Sequence, residues 1–308
     1  MKKLVITLVM FLGIVSIWAD DFKVGGIYYD VVSFSDLTCK VANIDDYVED
    51  VVIPATVEYN KRTFTVINIG MLSLAHKSNI RSVTIGSNVV EVERCAFQDS
   101  RNIKKVIIED SDKPIHFCHQ WDTDPSYGDY MFYDSNLEEV YVGRMVTFDA
   151  YEFITMKYFS PFCEQLSLKK ITIGGSMVEV PKFLFWACGN IESISLGSEV
   201  RKIGLHAFIW ATHPHTNMVY EVYSYNPQPP EIEGDIFLEN AAYLDATLYI
   251  PQGSEEAYAQ ARIWQNFLNV ETVGIQPPVP EKVPEDLNGD GVVDTQDVLK
   301  IYKYIQEH

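Results

Sequence analysis

Phe185-Trp-Ala-Cys188-Gly-Asn-Ile191-Glu-Ser-Ile194-Ser-Leu196 is the stretch on which the fold turns. The same spacing returns as Phe97-x-x-Ser100-x-x-Ile103-x-x-Val106-x-Ile108, as Leu74-x-x-Lys77-x-x-Ile80-x-x-Val83-x-Ile85, and as Phe162-x-x-Gln165-x-x-Leu168-x-x-Ile171-x-Ile173. A shortened copy runs from Phe132 through Leu137, Val140 and Val142. Ile80 to Ile103 is 23 residues, and so is Leu168 to Ile191. Recurrence at a fixed period of this size is the signature of a repeat architecture, and it takes precedence over any local motif.

The chemistry of one unit is readable. In each V-x-I step (Val83/Ile85, Val106/Ile108, Ile171/Ile173, Ile194/Leu196) two apolar side chains share one face of a short strand, and the residue between them faces out: Thr84, Ile107, Thr172, Ser195. Gly86, Gly143, Gly174 and Gly197 follow the strands, where they are expected to let the chain turn away. One unit buries too little surface to stand alone, so neighbours must stack into a continuous core. That predicts a repeat solenoid of the α/β class, with short parallel strands laddered along a curved rod. Cys188, Ser100 and Gln165 share one column, which points to packing rather than reactivity for Cys188.

The aromatic-x-x-Cys-x-x-Leu-x-x-Val-x-Ile core resembles the BspA-like bacterial leucine-rich repeats. The Ile-Gly element before the aromatic also matches, as Ile69-Gly70 and as Ile203-Gly204 with Ala207-Phe208. The resemblance covers roughly residues 65 to 273 and sets the repeat domain at 67–273. Thr247 to Ser254 followed by Glu255 to Asn269 is similar to that family's closing unit, with Ser254 expected as a helix N-cap and Trp264 and Phe267 sealing the open end. Residues 20–66 are strand-rich (Ile27-Tyr28-Tyr29, Val51-Val52-Ile53, Phe64-Thr65-Val66) and are expected to cap the other end. Members of the family are surface and secreted interaction proteins, some of them adhesins, so the resemblance implies binding rather than catalysis.

The first residues read as an export signal. Lys2 and Lys3 precede an apolar run, Leu4 to Trp18, and Ala19 then stands before Asp20-Asp21. Fifteen residues fall short of the roughly 20 that a spanning helix needs, so cleavage after Ala19 is expected and no membrane span after it. The formal charge of −19 opposes binding to nucleic acid and favours cations or basic partners. The five cysteines (Cys39, Cys95, Cys118, Cys163, Cys188) are odd in number and lack a pairing pattern, so mostly buried thiols are expected rather than a disulfide framework.

Two repeats are swollen: Ile103 to Leu137 is 34 residues and Leu137 to Leu168 is 31. The added lengths carry Trp121, Tyr127 and Tyr130 in one case and Tyr151, Phe153 and Tyr158 in the other. Insertions in a solenoid project as loops, often on the binding face, and aromatics are common anchors. These rings are therefore candidate ligand contacts; folding back onto the rod is the alternative.

After a proline-rich linker, 274–285, the chain changes character. In 286–308, Asp286, Asn288, Asp290, Asp294 and Asp297 place oxygens at positions 1, 3, 5, 9 and 12 of a loop with Gly291 at position 6. The carbonyl of Val292, at position 7, completes a Ca²⁺ shell. An EF-hand expects glutamate at position 12. Aspartate there, with Val293 at position 8, resembles the calcium loop of type I dockerins. That resemblance implies a cohesin-like partner, but dockerins carry two such units and this chain has one, so calcium binding is the firmer expectation.

Other chemistry does not assemble. His116-Phe-Cys118-His119 and His213-Pro-His215 each lack a second pair at zinc-site spacing, so no metal is expected there. No nucleophile elbow, phosphate loop or His-Glu-x-x-His helix appears. The expected function is an exported, non-catalytic binding protein that presents a repeat face to an extracellular protein or glycan, with a calcium-binding tail as tether. The alternative is an accessory or enzymatic subunit of an extracellular polysaccharide-degrading complex recruited through that tail.

Overall fold

A computed structural model of the chain describes residues 21–118, 131–132, 135–149, 160–208, 219–234 and 241–274. The V-x-I steps form the expected ladder. Nine strands run in the order Asp50–Ile53, Ser82–Ile85, Lys105–Ile108, Glu139–Val142, Lys170–Ile173, Ser193–Leu196, Glu221–Ser224, Thr247–Pro251 and Asn269–Val273, every neighbouring pair parallel. Val83, Val106, Val140, Ile171 and Ile194 fall on one rung line, each paired with the next, and all are buried. The first rung, Asp50–Ile53, comes from within the strand-rich N-terminal segment.

A second sheet backs the first. Phe22–Val24, Ile27–Ser33 and Thr38–Ile44 begin it as an antiparallel meander. Arg62–Ile69, with Thr56–Tyr59 folded against it, continues it into the parallel short strands Glu91–Val92, Ile115–Phe117 and Val146–Phe148. A third sheet, Glu179–Val180, Lys202–Ile203 and Glu231–Ile232, takes the same place in later repeats. Between the walls the repeat aromatics stack in file: Phe97–Phe132 at 4.9 Å, Phe132–Phe162 and Phe162–Phe185 at 5.4 Å, and Phe185–Phe208 at 5.7 Å between ring centroids. Each ring takes apolar surface from its two neighbours, so no repeat is stable alone.

The fold is a parallel β-solenoid with little helix. Among the described residues the α-helices are two short ones, Ala241–Asp245 and Glu255–Gln260. The turns that carry the aromatic explain why. Non-glycine residues with positive φ recur four apart and at the repeat period, as Leu72/His76, Cys95/Asp99 and Phe183/Ala187. A left-handed residue every four positions cannot propagate a right-handed helix.

Buried hydrogen bonds join each turn to the one before. Ser100 Oγ donates to the Leu74 carbonyl (2.5 Å), Gln165 Nε2 to the Phe132 carbonyl (3.0 Å), and Cys188 Sγ to the Phe162 carbonyl (3.0 Å). The shared column is thus one of carbonyl-satisfying donors. Burial pushes the Cys188 thiol up to about 12, which keeps it protonated and inert. Cys39 and Cys163 are also buried, and no disulfide joins the five cysteines.

Three local expectations need correction. Thr84, Ile107, Thr172 and Ser195 point away from the core yet are only 2–8% exposed, because parallel strands about 4.8 Å apart let neighbouring side chains shield each other. The strand-following glycines are not in positive-φ conformations. They are required by close approach: a Cβ on Gly197 would lie 2.5 Å from the Gly174 carbonyl oxygen, and one on Gly174 would lie 2.7 Å from Gly143 Cα. Ser254 precedes the helix, but its hydroxyl donates back to the Pro251 carbonyl (2.5 Å) and makes no side-chain cap. Trp264 and Phe267 are buried, and Trp264 Nε1 donates to the Pro230 carbonyl at 2.7 Å.

Arg144 is the unexpected core residue. It is fully buried, and its guanidinium donates to the carbonyls of Ser87 (2.7 Å) and Gly86 (2.9 Å), two rungs back along the ladder. Burial lowers its pKa to about 10, so it stays charged at neutral pH.

Candidate functional site

The outer face of the nine-stranded sheet is a regular surface that the repeat creates. Because side chains alternate, it carries two columns. One reads Asp50, Ser82, Lys105, Glu139, Lys170, Ser193, Glu221, Thr247, Asn269. Its charges partly satisfy one another: Ser82 Oγ donates to Asp50 (2.6 Å), and Lys105 lies 3.5 Å from Glu139. The other reads Val52, Thr84, Ile107, Tyr141, Thr172, Ser195, Tyr223, Tyr249, Glu271. From Val52 to Tyr249 that column is uncharged.

Tyrosines concentrate at its C-terminal end. Tyr223 and Tyr249 stack with centroids 4.4 Å apart, and Tyr225 lies beside Tyr223 at 6.1 Å. Tyr223 and Tyr249 are half-buried, whereas Tyr225 is buried. Burial, and then the nearby Glu221 carboxylate, push the Tyr223 hydroxyl up to about 12, so it remains a neutral donor. Tyr141 is buried and donates to Asp110 Oδ2 (2.6 Å), and its hydroxyl would clash with a Cβ on Gly174. The accessible part of the column is therefore its C-terminal end, where Tyr223 and Tyr249 are bordered by the carboxylates of Glu221 and Glu271. Rigid aromatics with a hydroxyl handle suit both sugar rings and peptide side chains.

The V-x-I rule locates this column, but the tyrosines within it went unread because they stand at the variable middle position of each strand. Asparagine was likewise missed. Asn79, Asn102, Asn136 and Asn190 immediately precede Ile80, Ile103, Leu137 and Ile191, and each amide donates to a carbonyl of the preceding turn, at 2.5 Å for Asn102 and 3.0 Å for Asn136. That periodicity was available in the sequence.

Trp121, Tyr127, Tyr130, Tyr151 and Tyr158 lie outside the described residues, as do the calcium-loop residues Asp286, Asn288, Asp290, Val292, Asp294 and Asp297 and the leader 1–19. His116 and Cys118 do lie within them, and the structure brings Asp149 to their side. The ligand atoms of these three residues all fall within 4.8 Å of one another. No helix of the described residues is long and apolar enough to cross a membrane.

A search of curated protein sequences finds no match. Among solved structures, a leucine-rich repeat protein from Bacteroides ovatus ATCC 8483 aligns with 16% identity, over 82% of this chain and 76% of that one, at a TM-score of 0.35. A leucine rich cell surface protein from Faecalibacterium prausnitzii A2-165 aligns with 16% identity, over 82% of this chain and 54% of that one, at a TM-score of 0.33. The assignment rests instead on the repeat register and on the family model for the BspA-type leucine-rich repeat region, which matches in six copies. Those copies cover residues 51–120 and 125–220, more than half of the chain, and it belongs to that family.

Proposed function

We propose that this chain is an exported, non-catalytic binding protein that presents the outer face of its nine-stranded sheet to an extracellular protein or glycan. The observation that carries the reading is the uncharged column ending in the stacked Tyr223–Tyr249 pair. The core is built from the inward positions, so nothing in the ladder itself calls for large aromatic rings at the outward ones. Carboxylates at Glu221 and Glu271 add acceptors for sugar hydroxyls or basic side chains beside the rings. Family membership supports a surface binding role, and the Leu4–Trp18 run followed by Ala19 supports export.

The tail extends the reading. Asp286, Asn288, Asp290, Asp294 and Asp297, with the Val292 carbonyl, have the residue types and spacing of a calcium loop, which would neutralise four clustered carboxylates and order the segment from Val298 onward. In this reading the loop tethers the rod, either to a cohesin-like partner or to a second copy of the loop on another chain. The aromatics of the two insertions, Trp121, Tyr127, Tyr130, Tyr151 and Tyr158, are proposed as further ligand contacts. The deciding experiment is a screen of the purified chain against immobilised glycans and extracellular matrix proteins, with polysaccharide hydrolysis followed in parallel. Saturable binding without turnover is expected; turnover of any polysaccharide would overturn the non-catalytic assignment.

A further inference from the structure

The second sheet carries a cluster that the binding face does not use. Ile115 and Phe117 point into the core, so His116 and the residue after the strand, Cys118, project from the opposite side. The ladder continues past the strand ends. The Cys118 N–H donates to the Val92 carbonyl (2.9 Å), and the Asp149 N–H donates to the Phe117 carbonyl (3.4 Å). This register places Asp149 beside Cys118 as Thr147 stands beside His116. His116 Nε2 lies 3.2 Å from Asp149 Oδ1, while Nδ1 lies 3.0 Å from Thr147 Oγ1. All three residues are half-buried, so an ion can reach them.

We propose that His116, Cys118 and Asp149 form a binding site for one zinc-class divalent cation, with a fourth coordination position open to water or to a ligand group. One nitrogen, one sulfur and one carboxylate oxygen make the mixed donor set that a borderline-soft cation prefers, and three protein ligands leave the tetrahedron one vertex short. Donor atoms around such an ion stand about 3.5 Å apart, so a cluster already within 4.8 Å needs only about 1 Å of side-chain closure. The Thr147 contact would hold the imidazole ring so that Nε2 faces the ion, as outer-shell partners of ligating histidines do.

The surroundings favour a cation. Glu91, which stands opposite His116 in the ladder and is held by the Asn68 amide (2.8 Å), brings negative charge to the site, whereas Glu93 is paired with Lys40 (3.3 Å). His116 and Cys118 belong to the first enlarged repeat and Asp149 to the second, 31 residues further on from Cys118, so an ion there would clip the two together. The distance along the chain is also why the motif is invisible in sequence: the third ligand arrives through the parallel register.

The test uses the full chain, tag-free, reduced and stripped with chelator, with calcium present to occupy the tail. Zinc titration by calorimetry should give uptake that falls at least 100-fold in affinity in His116→Ala, Cys118→Ser and Asp149→Asn. Cobalt should give a thiolate-to-metal charge-transfer band together with the intense visible bands of tetrahedral coordination. That band should vanish in Cys118→Ser and persist in Cys95→Ser, with thermal unfolding confirming that each variant is folded. No charge-transfer band in the wild type, or an undiminished one in Cys118→Ser, would overturn the assignment.

Discussion

Replacing Ile171 with alanine removes three carbon atoms from the centre of the rung line. Ile171 is fully buried and pairs on one side with Val140 and on the other with Ile194, both at most 2% exposed. The lost transfer energy is about 0.8 kcal/mol per carbon, or roughly 2.4 kcal/mol, and the cavity left between rigid strands raises the total to about 3–4 kcal/mol. Lys170, one residue earlier, is exposed on the outer face, and Lys170→Ala should cost no more than about 0.5 kcal/mol. Urea unfolding followed by both far-ultraviolet circular dichroism and tryptophan fluorescence measures both variants. Because each repeat is held by its neighbours, the two probes should shift together in Ile171→Ala. Ile171→Asp, which strands a charge in the core, should prevent cooperative folding altogether. Equal costs at positions 170 and 171 would refute the assignment of the buried strand face.

Arg144→Met keeps most of the buried volume but leaves the Ser87 carbonyl without this donor and the Gly86 carbonyl with the Val89 N–H (3.1 Å), and should cost about 1–3 kcal/mol in the same urea assay. Glu233 contacts Lys202 at 2.6 Å and Lys182 at 3.0 Å, and these lysines hold its pKa near 2. Its folded value lies below the unfolded one, so its contribution is present above the ordinary glutamate range and is lost as pH falls toward 2. The Tm difference between wild type and Glu233→Gln should therefore shrink over that interval. Calorimetry of the intact chain at millimolar calcium should show uptake that Asp286→Ala with Asp297→Ala abolishes; no uptake by the wild type would leave the tail a solvated turn.

The ladder was legible because its signal is local and repeated. Val83/Ile85 through Ile194/Leu196 state the strand, the facing and the period within each unit, and the register follows by stacking like on like. The left-handed turns were not legible, because Leu72, Cys95 and Phe183 are not the glycine, asparagine or aspartate that usually marks a positive φ; the conformation belongs to the turn. Glycine was identified at the right places for a different reason, since only the neighbouring rung reveals what a Cβ would strike. Ser254 shows the limit of a capping rule, for its hydroxyl had a nearer carbonyl in the buried turn at Pro251. The His116–Cys118–Asp149 cluster and the Tyr223–Tyr249 stack share one cause of concealment. Both are made across strands, between residues whose separation in sequence carries no motif.

In the proposed function, the tyrosine-bearing outer face binds an extracellular ligand. The most direct measurement is the affinity of the strongest partner from the glycan and matrix screen for three forms of the protein: wild type, Tyr223→Ala with Tyr249→Ala, and Glu231→Ala on the separate three-stranded sheet. At least a tenfold loss is expected for the tyrosine variant, about 1.4 kcal/mol or more, and no change for Glu231→Ala. A folded tyrosine variant that binds as tightly as wild type would contradict it.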